Sequence, residues 1–408
     1  MSEPLVIVGN GMAAARLVEE LAARALGRYA IAVIGDEPRL AYNRVLLSLV
    51  LAREVSPAEI ELRPAQWWRD RGVTLLYGRS AVAIDPEIRR VRLAGGATLP
   101  YSKLVLTTGS KPIRLNVPGM ELPGVITFRD LSDITAIEQV ASSGRRAVVI
   151  GGGLLGLEAA YGLAKSGADV TVVHLMDRLM ERQLDPRASA MLKQAVEHKG
   201  IAVRLKADTA AIEGVDRVGA VRFADGTRVA ADLVVVAAGI RPNVDLAYSA
   251  GVAVGRGILV DDRLQTSDPN IYAIGECAEH RGACYGLVEP AYEQARALAS
   301  HLGGGSEAYR GSVLATNLKV GGIALFSAGE FLGGAGTEAI VLTDPGIGAY
   351  KKLVIKDGRL VGCVLFGDAA DGLWYLELIR SKQSIEPFRG ELMFGRAFAE
   401  RGSAALAA

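Results

Sequence analysis

The sequence reads Gly151-Gly152-Gly153-Leu154-Leu155-Gly156 directly after one apolar strand, and Gly9-Asn10-Gly11-Met12-Ala13-Ala14 directly after another. Each motif then opens a helical run, as in the βαβ unit of dinucleotide-binding domains. A single motif of this kind is a weak signal, because glycine-rich turns between strands and helices are common. Two motifs in the same arrangement indicate that the chain holds two dinucleotides and moves electrons between them.

The two βαβ units are built alike, which indicates an internal duplication of one dinucleotide-binding fold. The pattern predicts an α/β fold with two Rossmann-like domains, and a small α+β C-terminal domain beyond a linker at 303–306. The predicted strands are 5–8, 30–34, 103–109, 146–150, 169–173, 232–239 and 361–366. The predicted helices are Ala13 to Leu26, Leu154 to Lys165, one that begins near Glu289, and Leu373 to Ser381.

Composition and charge exclude several classes of protein. The chain has 408 residues and a formal net charge of +1, with no basic stripe for nucleic acid or an anionic membrane. No apolar run is long enough to cross a bilayer, and the first strand begins too near Met1 for a signal peptide, so we expect a cytoplasmic protein. The three cysteines contain no CxxC pair and the four histidines show no metal spacing. We therefore expect no disulfide framework, no iron–sulfur site and no metal.

Each small residue of the first motif has a predicted role. Gly9 permits the tight turn, Gly11 lets backbone amides approach a pyrophosphate, and Ala14 replaces the third glycine where helix meets strand. The predicted helix begins at Ala13, directly after Met12, and presents amide donors and a positive dipole end to the phosphates. An acid that holds the adenosine ribose is expected about 20 residues further on, and Asp36-Glu37 stands just past the second strand.

The second motif matches the G-x-G-x-x-G pattern without substitution at Gly151, Gly153 and Gly156. Its predicted helix begins at Leu154, which Leu155 follows. The next strand ends in His174, where an NAD site usually has its acid, and Asp177 and Arg178 follow. Two interpretations stay open. The site takes NADPH, with Arg178 or Arg182 facing the 2′-phosphate, or it takes NADH held in some other way.

Five stretches spread over the whole chain carry a family resemblance: 8–12, 41–48, 179–185, 273–278 and 326–330. In these stretches the chain resembles the two-dinucleotide flavin reductases related to ferredoxin and rubredoxin reductases. It looks most like the N-terminal flavin portion of NAD(P)H nitrite reductases. The resemblance implies a glutathione-reductase-like arrangement in which 1–112 and 240–310 bind FAD, 113–239 bind NAD(P)H, and 311–408 form the C-terminal domain.

The resemblance also implies roles for single residues. Arg44 would lie near the flavin pyrophosphate, and Thr108-Gly109 ends a strand that passes behind the cofactor. Gly275-Glu276 matches the turn whose acid, more often Asp, binds the ribityl chain. Gly239, which ends the last strand of the second domain, is expected among the cofactor-binding residues.

Glu158 resembles the family glutamate near the nicotinamide and is the candidate catalytic residue. In oxygenase-coupled relatives a lysine follows the position of Ser48, but Leu49 stands here, which leaves Glu158 without its expected partner. This departure favours the nitrite-reductase branch. Related disulfide reductases carry a cysteine pair beside the flavin, and related peroxidases and oxidases carry one cysteine near Ser48. This chain has neither, so we expect electrons to leave directly to an external acceptor; a redox role for Cys277 stays open.

The resemblance thus implies a FAD-dependent NAD(P)H oxidoreductase that serves as the electron-transfer component of a nitrite reductase system. Its acceptor would be a separate iron–sulfur, rubredoxin or siroheme protein, with no nucleic-acid or membrane partner. The alternatives are a stand-alone rubredoxin or ferredoxin reductase, an NADH oxidase, and an NADH-sensing flavoprotein with little turnover. The physiological acceptor and the oligomeric state are left open by the sequence.

Overall fold

The computed structural model describes residues 2–25, 27–140 and 144–400. The chain forms two compact units, of which the first comprises Met1–Leu47, Val55–Ile113 and Ile240–Ser312. The second comprises Ser48–Glu54, Arg114–Gly239 and Val313–Ala408, so it holds both the middle region and the C-terminal region. The assignment of cofactors to three domains stays a prediction. The predicted end of the first helix, Leu26, and the tail that begins at Arg401 lie outside the described residues.

The first unit is built on a five-stranded parallel sheet in which the strand Glu3–Val8 is central. Side chains alternate along this strand. Leu5 and Ile7 face a core shared with the helices Met12–Arg24 and Val288–Leu302. Val6 and Val8 face a core shared with a three-stranded antiparallel sheet. The parallel strands, in spatial order, are Ile271–Ala273, Lys103–Leu106, Glu3–Val8, Tyr29–Gly35 and Thr74–Tyr77.

Shorter elements complete the first unit. The antiparallel strands are Ala81–Asp85, Arg90–Leu93 and Thr98–Pro100. Further strands are Ser110–Pro112, Ile240–Pro242, Ile258–Val260, Ala278–His280 and Ala283–Cys284. Further helices are Ala65–Arg69 and Asp245–Ser249, with single 3-10 turns at Arg44–Leu46 and Gly275–Cys277. The short helix Leu47–Leu51 lies where the chain passes from the first unit to the second.

The second unit repeats this plan with its own five-stranded parallel sheet. Its central strand is Arg146–Ile150, and Val148 and Ile150 face a core shared with a second antiparallel sheet. The parallel strands, in spatial order, are Ala202–Arg204, Asp169–Val173, Arg146–Ile150, Leu233–Val236 and Val125–Thr127. The helices are Leu131–Val140, Leu154–Lys165 and Pro186–Glu197, and the antiparallel strands are Thr209–Gly214, Val218–Phe223 and Arg228–Ala230.

The same unit contains the C-terminal sheet, which is antiparallel and carries the helix Gly372–Ser381 on one face. Its strands, in spatial order, are Ala315–Val320, Ile323–Gly329, Arg359–Phe366, Ala349–Lys356 and Glu338–Asp344. Two 3-10 turns, Glu386–Phe388 and Leu392–Phe394, follow the helix. Two parallel sheets and a C-terminal sheet domain confirm the predicted fold class.

One carboxylate joins the C-terminal sheet to the rest of the second unit. Asp185 caps the helix Pro186–Glu197, because its Oδ1 accepts a hydrogen bond of 2.9 Å from the Ala188 amide and Pro186 follows it. Its Oδ2 accepts a 2.6 Å hydrogen bond from the Tyr350 hydroxyl, and the Lys352 ammonium lies 3.6 Å away. Burial, together with the Asp185 carboxylate, raises the pKa of the Tyr350 phenol. Both oxygens of a buried carboxylate are therefore satisfied within this unit.

Two predicted strands are shorter than expected. They were expected to run through Gly109 and Gly239, but they end at Leu106 and Val236. Both glycines adopt a positive φ, of 65° and 111°, which an extended strand cannot contain. The chain turns at these points, and the segments that follow, Ser110–Pro112 and Ile240–Pro242, pair with each other.

Candidate functional site

The first glycine turn is closed by contact between two strand ends. Gly9 has a φ of +115°, and a Cβ atom placed on it would lie 2.1 Å from the carbonyl oxygen of Thr107. Only glycine fits there, because a methyl group would overlap that oxygen. Gly11, two residues later, is the N-cap of the helix Met12–Arg24, and a Cβ on it would meet nothing within 4 Å. The face of the helix N-terminus is therefore open.

The second glycine turn has the same construction. A Cβ on Gly151, whose φ is +130°, would lie 2.2 Å from the carbonyl oxygen of Ala237. Gly153 caps the helix Leu154–Lys165, and a Cβ there would again meet nothing within 4 Å. The motifs differ at the third position: a Cβ on Gly156 would lie 1.9 Å from the Gly151 carbonyl oxygen, whereas Ala14 carries its methyl group fully buried. The second helix therefore approaches its turn more closely than the first.

These two turns fit the phosphates of dinucleotides. Neither helix has a side-chain cap, so the first amides of each are left for an outside acceptor. Met12 and Ala13 begin one helix, and Leu154 and Leu155 begin the other. In the first turn the Asn10 Oδ1 atom is buried and has no hydrogen-bond partner among the described residues.

The predicted ribose acid and the predicted pyrophosphate arginine lie together in the first unit. The Tyr42 hydroxyl donates a 2.7 Å hydrogen bond to Glu37 Oε2, and the Arg44 guanidinium donates to Glu37 Oε1. The Arg44 guanidinium also lies over the Tyr42 ring, 5.1 Å from its centroid. Asp36 is exposed, and its Oδ1 accepts from the Glu37 amide at 3.0 Å. Sequence reasoning named Glu37 and Arg44 separately and did not foresee their pairing.

The predicted Gly275-Glu276 turn lies against the first glycine motif. A Cβ on Gly275 would come within 3.2 Å of the Ala13 Cβ, and its φ is +83°. The Gly275 amide donates a 2.7 Å hydrogen bond to Gln294 Oε1, which is fully buried on the helix Val288–Leu302. Glu276 Oε2 accepts a 2.7 Å hydrogen bond from the Ser110 hydroxyl. The structure thus brings this turn to the same end of the sheet as the glycine turn.

Thr108 and Gly109 lie at the end of the neighbouring strand, Lys103–Leu106. The Thr108 hydroxyl donates to the Asn243 carbonyl oxygen at 2.7 Å, and the Asn243 amide donates to the Gly109 carbonyl at 2.9 Å. Because strands with parallel neighbours present their carboxyl ends at one edge, these residues adjoin the first turn. In the second unit, Gly239 follows the corresponding strand, Leu233–Val236.

Glu158 lies on the helix Leu154–Lys165, and only 8% of its surface is exposed. It has no hydrogen-bond or ion-pair partner among the described residues. Burial disfavours the charged carboxylate and raises the pKa of Glu158 to about 8. A buried, unpaired carboxyl on the helix that follows the second glycine turn is unusual and marks a candidate site.

His174 uses both of its ring nitrogens within the protein. Its Nδ1 accepts a 3.0 Å hydrogen bond from the Gly152 amide, so the ring proton resides on Nε2. Nε2 donates to Glu181 Oε2 at 3.0 Å. Arg178, the other predicted residue here, donates to Asp177 Oδ1 at 3.0 Å. Sequence reasoning quoted Glu181 within a family motif and gave it no role, because nothing local shows that its side chain returns to His174.

The thiols contribute no disulfide. All three cysteines are free; Cys277 and Cys363 are buried and Cys284 is half-buried. Burial raises the pKa of the Cys277 thiol, which keeps it in its unreactive form. Across residues 2–25, 27–140 and 144–400, no cluster of three potential metal ligands occurs. In those same residues, no helix has both the length and the hydropathy required to cross a bilayer.

Comparison with known proteins agrees with this architecture. Residues 3–297 match the family model described as pyridine nucleotide-disulphide oxidoreductase, and residues 315–383 match the rubredoxin NAD+ reductase C-terminal domain. Among solved structures, the covalent putidaredoxin reductase–putidaredoxin complex is similar with a TM-score of 0.89 and 28% identity. That similarity covers 100% of this chain and 99% of that chain.

Two curated relatives come from Bacillus subtilis (strain 168). The nitrite reductase [NAD(P)H] is 45% identical over 93% of this chain and 48% of the relative. The assimilatory nitrate reductase electron transfer subunit is 44% identical over 94% of this chain and 51% of the relative. The chain therefore spans about half the length of these relatives. The family resemblance inferred from the sequence is confirmed.

Proposed function

The chain belongs to the pyridine nucleotide-disulphide oxidoreductase family, and we propose that it passes electrons from NAD(P)H through FAD to a separate redox partner. Members of this family use FAD and NAD(P)H, as the sequence predicted. When bound, the flavin supplies hydride acceptance from the nicotinamide and release of electrons one at a time. The observation that carries the proposal is the pair of glycine turns, each with an open helix N-terminus.

In this proposal the first unit holds FAD. Gly9 and Gly11 admit the pyrophosphate to the helix N-terminus, and Glu37, held by Tyr42 and Arg44, receives the adenosine ribose. Gly275, Glu276, Thr108 and Gly109 line the same end of the sheet and receive the remainder of the cofactor.

The second unit holds NAD(P)H. Gly151, Gly153 and Gly156 form its phosphate turn, together with Leu154, Leu155 and Gly239. Glu158 is the catalytic residue of the proposal: its protonated carboxyl positions the nicotinamide and holds a proton without a competing partner. We expect no thiol in the electron path, because the three cysteines form no disulfide and burial keeps the thiol of Cys277, beside Glu276, in its unreactive form.

We propose a nitrite reductase system in the cytoplasm as the setting, because that compartment supplies NAD(P)H. The support is the identity of 44–45% to a nitrite reductase [NAD(P)H] and an electron transfer subunit of nitrate assimilation. A second candidate, reduction of a rubredoxin, is favoured by one specific observation: residues 315–383 match the C-terminal domain of rubredoxin NAD+ reductases. In either case the acceptor is a separate iron–sulfur, rubredoxin or siroheme protein.

Anaerobic titration of the FAD-loaded protein tests the proposal. We expect a stoichiometric amount of reduced nicotinamide nucleotide to bleach the flavin absorption, and an added acceptor to restore it. Rubredoxin and a siroheme-containing reductase subunit, added in separate runs, distinguish the two candidates by the rate of recovery. Rapid oxygen consumption without any protein acceptor would instead favour an oxidase.

Gly153→Ala is the matched variant for this titration. Its methyl group meets no protein atom within 4 Å, so the fold is preserved while the phosphate face is obstructed. The variant should keep its FAD and bleach at least about tenfold more slowly, since close approach of the pyrophosphate to this turn is lost. Unbleached flavin in the unmodified protein with both NADH and NADPH would refute hydride transfer.

A further inference from the structure

We propose that Glu181 makes the second unit select NADH over NADPH, with His174 as its positioning residue. The inference rests on the proposed NAD(P)H site and answers a question that the sequence leaves open. His174 occupies the strand end where an acid usually binds the adenosine ribose. No acid occupies that position in this sequence. Instead, the carboxylate of Glu181, seven residues further along the chain, lies within hydrogen-bond distance of the His174 ring.

Three hydrogen bonds hold the segment 174–181 against the second glycine turn. The Gly152 amide donates to His174 Nδ1 at 3.0 Å, and His174 Nε2 donates to Glu181 Oε2 at 3.0 Å. In return, the Met180 amide donates to the Gly152 carbonyl oxygen at 3.0 Å. The His174 ring also packs on the turn, since a Cβ on Gly152 would lie 2.8 Å from its Cγ. Glu181 is therefore held beside the motif that receives the phosphates.

The surroundings of Glu181 restrict it further. Its neighbour Met180 and the preceding Leu179 are completely buried, so their side chains anchor this segment in the core of the unit. The Glu181 side chain is 21% exposed, enough to meet a ligand. Its second oxygen, Oε1, lies 3.9 Å from the Nε of Arg182, whose side chain is 86% exposed. A pair so exposed is weak, so Oε1 can accept a hydrogen bond from a ribose hydroxyl.

A carboxylate at this position discriminates between the two nucleotides. It accepts hydrogen bonds from the 2′- and 3′-hydroxyls of NADH, and it repels the 2′-phosphate of NADPH. Arg178 is the competing feature, because its Nε is buried and has no hydrogen-bond partner among the described residues. Its Nη1 already donates to Asp177 Oδ1, however, so a second acid lies beside the guanidinium that would have to bind a 2′-phosphate.

Calorimetric binding of NAD+ and NADP+ to the FAD-loaded protein tests this inference without turnover. The unmodified protein should bind NAD+ at least about tenfold more tightly than NADP+. In Glu181→Gln, which removes the charge and keeps the shape, the ratio of the two dissociation constants should fall to about threefold or less, mainly through tighter NADP+ binding. Glu197→Gln removes an exposed helix acid paired with Lys193 and should leave the ratio unchanged.

His174 is tested by the same ratio, which a merely structural role would not move. His174→Phe keeps a ring but loses both hydrogen bonds, so the ratio should fall toward that of Glu181→Gln. His174→Gln carries one acceptor and one donor and should restore part of the preference for NAD+.

A preference of the unmodified protein for NADP+, or a ratio unaffected by Glu181→Gln, would overturn the inference and leave the proposed function intact. Arg178→Ala would then show whether that guanidinium binds the 2′-phosphate. Failure of both nucleotides to bind would overturn the inference and the proposed NAD(P)H site together.

Discussion

Replacing Gly9 with alanine is expected to deprive the first unit of FAD and to destabilise it. The new methyl carbon would lie 2.1 Å from the Thr107 carbonyl oxygen, at a φ of +115° that alanine rarely adopts. Overpacking and backbone strain each cost about 1–3 kcal/mol, so the strand end must move and the turn opens. Flavin absorbance per chain after gel filtration, and the midpoint of thermal unfolding, measure the two effects.

Alanine variants of two other glycines separate the loss of FAD affinity from the loss of stability. Gly11→Ala has room for its methyl group, so it should keep the stability of the FAD-free protein but lose affinity for FAD. Gly219→Ala lies in an antiparallel strand of the second unit, where the nearest atom to a Cβ is 3.7 Å away, and it should change neither measurement. Full flavin content and an unshifted midpoint in Gly9→Ala would show that the close approach to Thr107 is unimportant.

Glu158→Gln is expected to change the pH dependence of stability. The pKa of the Glu158 carboxyl is about 8 in the folded chain, against 4.5 as its ordinary value. Below pH 4.5 the group is protonated in both states. Between the two values the unfolded chain releases the proton and the folded chain keeps it, so the free energy of unfolding falls by about 1.4 kcal/mol per pH unit. Above pH 8 the folded chain releases the proton as well, and the stabilisation that came from the protonated Glu158 carboxyl is lost completely.

Urea unfolding between pH 5 and 9 measures the effect. Because glutamine does not titrate, the difference in unfolding free energy between Glu158→Gln and the unmodified protein should shift by roughly 3–5 kcal/mol in favour of the variant over that range. Glu197→Gln, on an exposed helix position, is the control and should follow the unmodified protein. Parallel pH profiles for Glu158→Gln and the unmodified protein would mean that the Glu158 carboxyl is already ionised at neutral pH.

Local pattern predicts the elements of this fold well and the contacts between distant elements poorly. The helix Leu154–Lys165 has the predicted ends, because the glycine motif fixes its start and its apolar periodicity fixes its length. The strands expected to reach Gly109 and Gly239 stop earlier, since apolar composition does not reveal where the backbone needs a positive φ.

The candidate sites show the same division. Both glycine motifs were recognisable from spacing, yet the reason for Gly9 is the carbonyl of Thr107, about a hundred residues away in the chain. The link between Gly275 and Gln294 depends on a helix that packs against the turn. The sequence pattern does not single out Glu181, because its proposed role depends on a side chain that reaches back to His174.

The carboxylate of Asp185 limits how segments of this protein can be exchanged with those of relatives. It caps a helix beside the parallel sheet with one oxygen and binds Tyr350 of the C-terminal sheet with the other. A chimera that imports a C-terminal sheet without a hydroxyl at position 350 would leave a buried acceptor unsatisfied, at about 1–3 kcal/mol. Recombination at the boundary near residue 313 therefore preserves this contact only when the incoming C-terminal sheet supplies a hydroxyl at position 350.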